Sequence, residues 1–117
     1  MVIFLAEDYV IKSFKNKKEA EELLVESRNR IDEIDNELFD LISQRTSLAK
    51  DIVLSKEYLG MPIYDENREN AVHEKIERLS EEKGLDVDII DQIVNMLTIL
   101  SKNEQKEILR RNADGKY

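Results

Sequence analysis

From Lys17 to Leu59 the sequence contains neither glycine nor proline. Asn16, followed three residues later by Glu19, has the form of a capping box, so a helix is expected to begin near Lys17. Nothing then stops it before about Tyr58. A helix of about 40 residues is ~60 Å long at 1.5 Å per residue. A compact globule built from the 117 residues of this chain is only ~35 Å across. The rod must therefore protrude, and its apolar face must be covered from outside the globule. A second copy of the same chain is the simplest cover. The expected fold is all-α, with three helices per chain, one of them very long, intertwined in a homodimeric bundle.

The remaining punctuation supports that division. Glycine and internal proline cluster at Leu59-Gly60-Met61-Pro62 and at Lys83-Gly84-Leu85-Asp86. Asp65 can cap a second helix that Gly84 stops, and Asp86 or Asp88 can cap a third that runs towards Leu109 or Arg110. Residues 23–110 form the expected helical domain. Residues 1–22 are read as an N-terminal extension without an assigned role, and residues 111–117 as a frayed tail. No internal repeat is visible. Charged residues at 38 % and aromatics at 6 % favour long solvated helices over sheets.

Charge and residue inventory narrow the function. A net charge of −8 argues against binding to nucleic acid or to anionic membranes. Without cysteine there is no disulfide, thiolate or Cys-based metal chemistry, and one histidine leaves little for a zinc site or a catalytic triad. MVIFLA is too short to cross a bilayer and lacks the basic start of a signal peptide. A soluble cytoplasmic protein is expected.

The apolar stripes carry the sharper information. In the long helix the inward series runs Leu24, Arg28, Ile31, Ile34, Leu38, Leu41, Arg45, Leu48, Ile52 and Lys56, in steps of three and four. In the second helix Val72, Ile76 and Leu79 extrapolate backwards to Glu69 and Arg68, then to Asp65. In the third, Ile90, Ile93 and Leu97 lead to Ser101 and Gln105 before Ile108. Singly, each polar position has a structural explanation: Asp65 as an N-cap, Ser101 and Gln105 as buried hydrogen-bond partners, an arginine snorkelling or ion-paired. Together they place four cations against two carboxylates on inward faces of a chain that is acidic overall. An unpaired guanidinium among leucines costs several kcal/mol or more. The excess calls for an anionic ligand with more than one negative group.

Spacing adds a constraint. Arg45 and Lys56 lie about three turns and ~16 Å apart on nearly one face, close enough for long side chains to hold a small molecule between them. Arg28 is ~25 Å from Arg45 along the same rod, too far for a metabolite to bridge. In an antiparallel dimer Arg28 of one copy could reach Arg45 of the other, giving composite sites at the interface.

Residues from about Glu26 to Leu109 resemble the small all-α chorismate mutases, on ESRNRIDEIDNELFDLISQR, LAKDIVLSK, GMPIYDENRE and LTILSKNEQ. The active-site pattern of that family maps, with its spacings kept, onto Arg28, Arg45, Lys56, Asp65, Arg68, Glu69, Ser101 and Gln105. These are the eight positions the periodicity marks. The resemblance implies an intertwined dimer with two composite sites that isomerises chorismate to prephenate, towards phenylalanine and tyrosine. The reaction is a pericyclic rearrangement and needs no nucleophile, proton transfer or cofactor. The protein holds a dianion in its folded conformer and stabilises charge in the transition state. The resemblance implies that Arg28 of the partner subunit and Arg45 clamp the two carboxylates. Lys56 and Gln105 would donate to the ether oxygen, and Glu69 would accept from the ring hydroxyl. Asp65 would act nearby through its backbone, Arg68 would support Glu69 and the ligand, and Ser101 would add a hydrogen bond to a carboxylate. The catalytic set is then Arg45, Lys56, Glu69 and Gln105. Two alternatives stand beside it: an isochorismate pyruvate lyase on the same scaffold, and a non-catalytic helical dimerisation or regulatory module.

Overall fold

In the computed structural model, which describes residues 13–115, the first helix starts where the capping box places it. Asn16 is extended, and its Oδ1 accepts a hydrogen bond from the Glu19 N–H at 3.0 Å. Four helical segments follow: α1 (Lys17–Ser47), α2 (Ala49–Tyr58), α3 (Glu66–Lys83) and α4 (Val87–Ala113).

The long helix of the sequence reading is α1 and α2 together, with a one-residue irregularity at Leu48. In an unbroken α-helix the Leu48 N–H would donate to the Gln44 carbonyl. Here the Ser47 hydroxyl donates to that carbonyl at 2.7 Å, and the Leu48 N–H turns to the Arg45 carbonyl at 3.3 Å. Leu48 keeps right-handed angles (φ −72°, ψ −13°), and the ladder resumes with the Ile52 N–H on the Leu48 carbonyl at 3.0 Å. Direction is preserved, and the molecule extends 66 Å along its longest axis.

The other boundaries are set by single residues. α2 ends in a Schellman motif: the Met61 N–H reaches the Lys56 carbonyl at 2.8 Å and the Gly60 N–H the Glu57 carbonyl at 3.2 Å. That turn requires the left-handed backbone of Gly60 (φ 68°). Asp65 caps α3 through a 3.1 Å bond from the Arg68 N–H, and Gly84 stops it. Of the two candidate caps for α4, Asp86 is the one used, accepting from the Ile89 N–H at 3.1 Å. α4 continues past the expected end at Leu109 or Arg110 to Ala113, helped by ion pairs from Arg110 and Arg111 to Glu107. The hydrogen bond from Arg110 holds the exposed Glu107 carboxyl down at about 2. Residues 1–12 of the expected extension and 116–117 of the expected tail lie outside the described residues, while 17–22 already belong to α1.

α4 packs against all three other segments, yet the hydrophobic core is small: Ala49, Val53, Ile76 and Ile108 are the buried apolar side chains among the described residues. The radius of gyration is 20.3 Å, against ~13 Å expected for a compact chain of this length. The thinnest dimension is 15 Å, little more than the ~10–12 Å diameter of one helix. α1 buries no residue at all. Leu24, Ile31, Ile34, Leu38 and Leu41, its inward series, are between 46 % and 59 % exposed in the single chain. No described helix is long and apolar enough to cross a membrane.

Candidate active site

The end of α1, the end of α2, the start of α3 and the middle of α4 converge on one cleft of about 370 Å³. That lies within the range of ~300–1,000 Å³ typical of small-molecule sites. Seven of the eight residues singled out from the sequence line it: Arg45, Lys56, Asp65, Arg68, Glu69, Ser101 and Gln105. Leu48, Ile52, Ile63 and Val72 supply the apolar wall. Arg28 does not reach it; it is exposed on α1, about five turns before Arg45.

Arg45 sits in the last turn of α1, where its Nη1 donates to the Leu97 carbonyl of α4 at 3.1 Å. Among the described residues no carboxylate pairs with it. Lys56, in the last turn of α2, is fixed by the loop that the Gly60 turn creates: its Nζ donates to the Ile63 carbonyl at 2.7 Å. A second bond runs from Nζ to Gln105 Oε1 at 3.3 Å. An ammonium can only donate, so this contact sets the amide orientation of Gln105. Gln105 is 3 % exposed, and its Nε2 donates to Ser101 Oγ at 3.1 Å, leaving the second amide N–H uncommitted among the described residues. Lys56, Gln105 and Ser101 thus form one chain of hydrogen bonds across the cleft floor.

On the α3 side, the Asp65 carboxylate is engaged as the helix cap, which was its structural reading from the sequence. Replacing it should cost about 1 kcal/mol of stability, the usual value for a lost N-cap. The expected result for Asp65→Ala is a lowered denaturant midpoint, and an unchanged midpoint would show that the cap contributes nothing. Glu69 pairs with Lys102 on α4, at 3.3 Å and 3.5 Å to its two oxygens, rather than with Arg68. Arg68, exposed at the cleft edge, makes no ion pair with another described residue.

Lys102 and Thr98 are the polar lining residues that stripe counting passed over. Counting followed Leu97, Ser101 and Gln105, and Lys102 is one step of about 100° off that line. A parallel series, Val94, Thr98, Lys102, Gln105, also in steps of four and three, contains both. With Lys102 included, four cations face two carboxylates within one chain, and three of the four have no carboxylate partner among the described residues.

A cleft of metabolite size between helices, with cations in excess of carboxylates among the described residues, is suited to a small polyanion. Residues 27–106 match the family described as chorismate mutase type II, and the chain belongs to that family. Among its relatives is a chorismate mutase of Methanocaldococcus jannaschii, 42 % identical over 88 residues, a span covering 75 % of this chain and 89 % of that protein. A bifunctional chorismate mutase/prephenate dehydratase of Aquifex aeolicus is 43 % identical over 61 residues, 52 % of this chain and 17 % of its own length. The T-protein of Haemophilus influenzae is 32 % identical over 73 residues, 62 % of this chain and 19 % of its own.

Proposed function

We propose that the protein is a chorismate mutase that acts as an intertwined homodimer with two composite clefts, converting chorismate to prephenate in the cytoplasm. The observation that carries the reading is the cationic cleft in which Arg45 and Arg68 meet no carboxylate among the described residues, in a chain of this family. A dicarboxylate is the complement of such a site.

The dimer follows from the uncovered stripe. Burying a leucine or isoleucine contributes about 1.5–3 kcal/mol, and α1 presents a row of them that the other described residues leave about half exposed. Packing two copies antiparallel covers both rows and brings Arg28 of the partner subunit opposite Arg45. The cleft then gains the cation it lacks.

Each side chain has a distinct task. Arg45 and Arg28 of the partner subunit hold the two carboxylates of the substrate and keep the enolpyruvyl arm folded over the ring, which replaces a rare conformer in water by the bound ground state. Lys56 and the uncommitted N–H of Gln105 point at the ether oxygen, which becomes more negative as its C–O bond breaks. Both donors are anchored beforehand, by the Ile63 carbonyl and by Ser101, so they need no reorganisation. Glu69 accepts from the ring hydroxyl, and Arg68 and Ser101 add hydrogen bonds to the dianion. The bond that breaks and the bond that forms belong to one molecule, so no proton or electron has to be supplied.

Incubating the purified protein with chorismate and resolving the products tests the reading, with isochorismate in parallel. Prephenate from chorismate is expected; pyruvate from isochorismate alone would assign the lyase reaction instead. Ligand binding should also raise the melting temperature by several degrees, since ~2.7 kcal/mol is gained at a hundredfold excess over Kd. Substrate and its product are both dianions, so turnover during the scan does not remove the effect. An unchanged melting curve at saturating ligand counts against any anion-binding role.

A further inference from the structure

We propose that Lys102 is a positioning residue of this active site, acting through Glu69; the inference rests on the mutase reading above. Glu69 is a carboxylate in a cleft meant for a dianion. Left uncompensated it would repel the ligand and be drawn to the nearest cation, its own neighbour Arg68 or the Arg45–Lys56 side of the cleft. Lys102 prevents both. Its Nζ stands in front of the carboxylate, 3.3 Å from one oxygen and 3.5 Å from the other, in a pair whose side chains are only 25 % and 21 % exposed. The ammonium is itself located by the Tyr64 ring, whose centroid is 5.5 Å from Nζ. Glu69 thereby joins α3 to α4 and to the loop before α3, and a carboxylate held by one lysine retains acceptor capacity for a hydroxyl.

The pairing also decides which cations remain for the ligand. Because Lys102 neutralises Glu69, Arg68 stays without an ion pair among the described residues and is available at the cleft edge. Lys102 therefore contributes to catalysis without touching the reacting atoms.

The test is a double-mutant cycle on chorismate turnover. Lys102→Met should lower kcat/KM about ten- to a hundredfold, the size expected for a lost hydrogen bond to a charged group, partly through a raised KM. Lys102→Arg should restore most of the activity. In a Glu69→Gln background, where no charge needs holding, adding Lys102→Met should change kcat/KM by less than about threefold. A full additional loss in that background would show that Lys102 contacts the substrate itself and overturn the positioning role. Unimpaired turnover by Lys102→Met would overturn it as well, while leaving the mutase reading intact. Wild-type protein that leaves chorismate unchanged would overturn the proposed function first, and this role with it. Melting temperatures of all variants separate loss of fold from loss of positioning.

Discussion

Lys56→Ala and Gln105→Ala should each lower kcat by roughly 10²–10³-fold, equivalent to ~3–4 kcal/mol of transition-state stabilisation. The size follows from where the two donors sit. Gln105 is almost fully buried, and Lys56 is held at 2.7 Å by a backbone carbonyl. A donor fixed in a part-buried cleft is worth more to a developing oxyanion than one that water can replace. The ether oxygen gains charge only as the reaction proceeds, so the loss belongs in kcat more than in KM. Since Lys56 donates to Gln105, the two effects should not add: the double variant is expected to lose less than the product of the single losses. Steady-state kinetics on the three proteins, with circular dichroism to confirm retained helix, decide the matter. A drop of less than tenfold for either single variant would remove these residues from the oxyanion-stabilising role.

The fold was largely legible because helices announce themselves locally. The Asn16 cap, the Gly60 and Gly84 stops and the Asp65 cap stand in the structure where the residue types place them. The break at Leu48 was not legible, since it depends on whether the Ser47 hydroxyl turns inward to its own helix or outward to solvent. Periodicity alone cannot decide that.

The cleft was legible for a different reason. A charge on an apolar stripe is costly, so its presence demands a partner, and seven of the eight marked residues do converge. Lys102 escaped because stripe counting searches for polar residues that interrupt an apolar series, whereas Lys102 lies beside the series and is only part-buried by its neighbours. Arg28 is the converse: it interrupts the series as clearly as Arg45 does, yet stands exposed on α1, away from the cleft. Sequence spacing marks a residue as belonging to an apolar stripe, but not what covers that stripe.

That asymmetry between Arg28 and Arg45 leads to the most demanding test of the proposed dimer. Arg28→Ala and Arg45→Ala proteins should each be nearly inactive, since truncating one side of a buried charge pair costs about 2–5 kcal/mol or more. Mixed in equal amounts and allowed to exchange subunits, they should recover activity. In the heterodimer, the cleft of the Arg28→Ala chain keeps its own Arg45 and receives an intact Arg28 from the other copy. The second cleft carries both defects. Random exchange makes half of the dimers mixed, each with one complete site of two, so recovery should approach about a quarter of wild-type activity. Exchange is followed independently, by native mass spectrometry of a size-tagged chain. If exchange is complete and activity stays at the level of the single variants, each cleft is built from one chain and the composite site is wrong. Recovery above a quarter, up to a ceiling of one half, would mean that the mixed dimer forms in preference to the two parents. The predicted value is bounded on both sides because each subunit lends one arginine and keeps the rest.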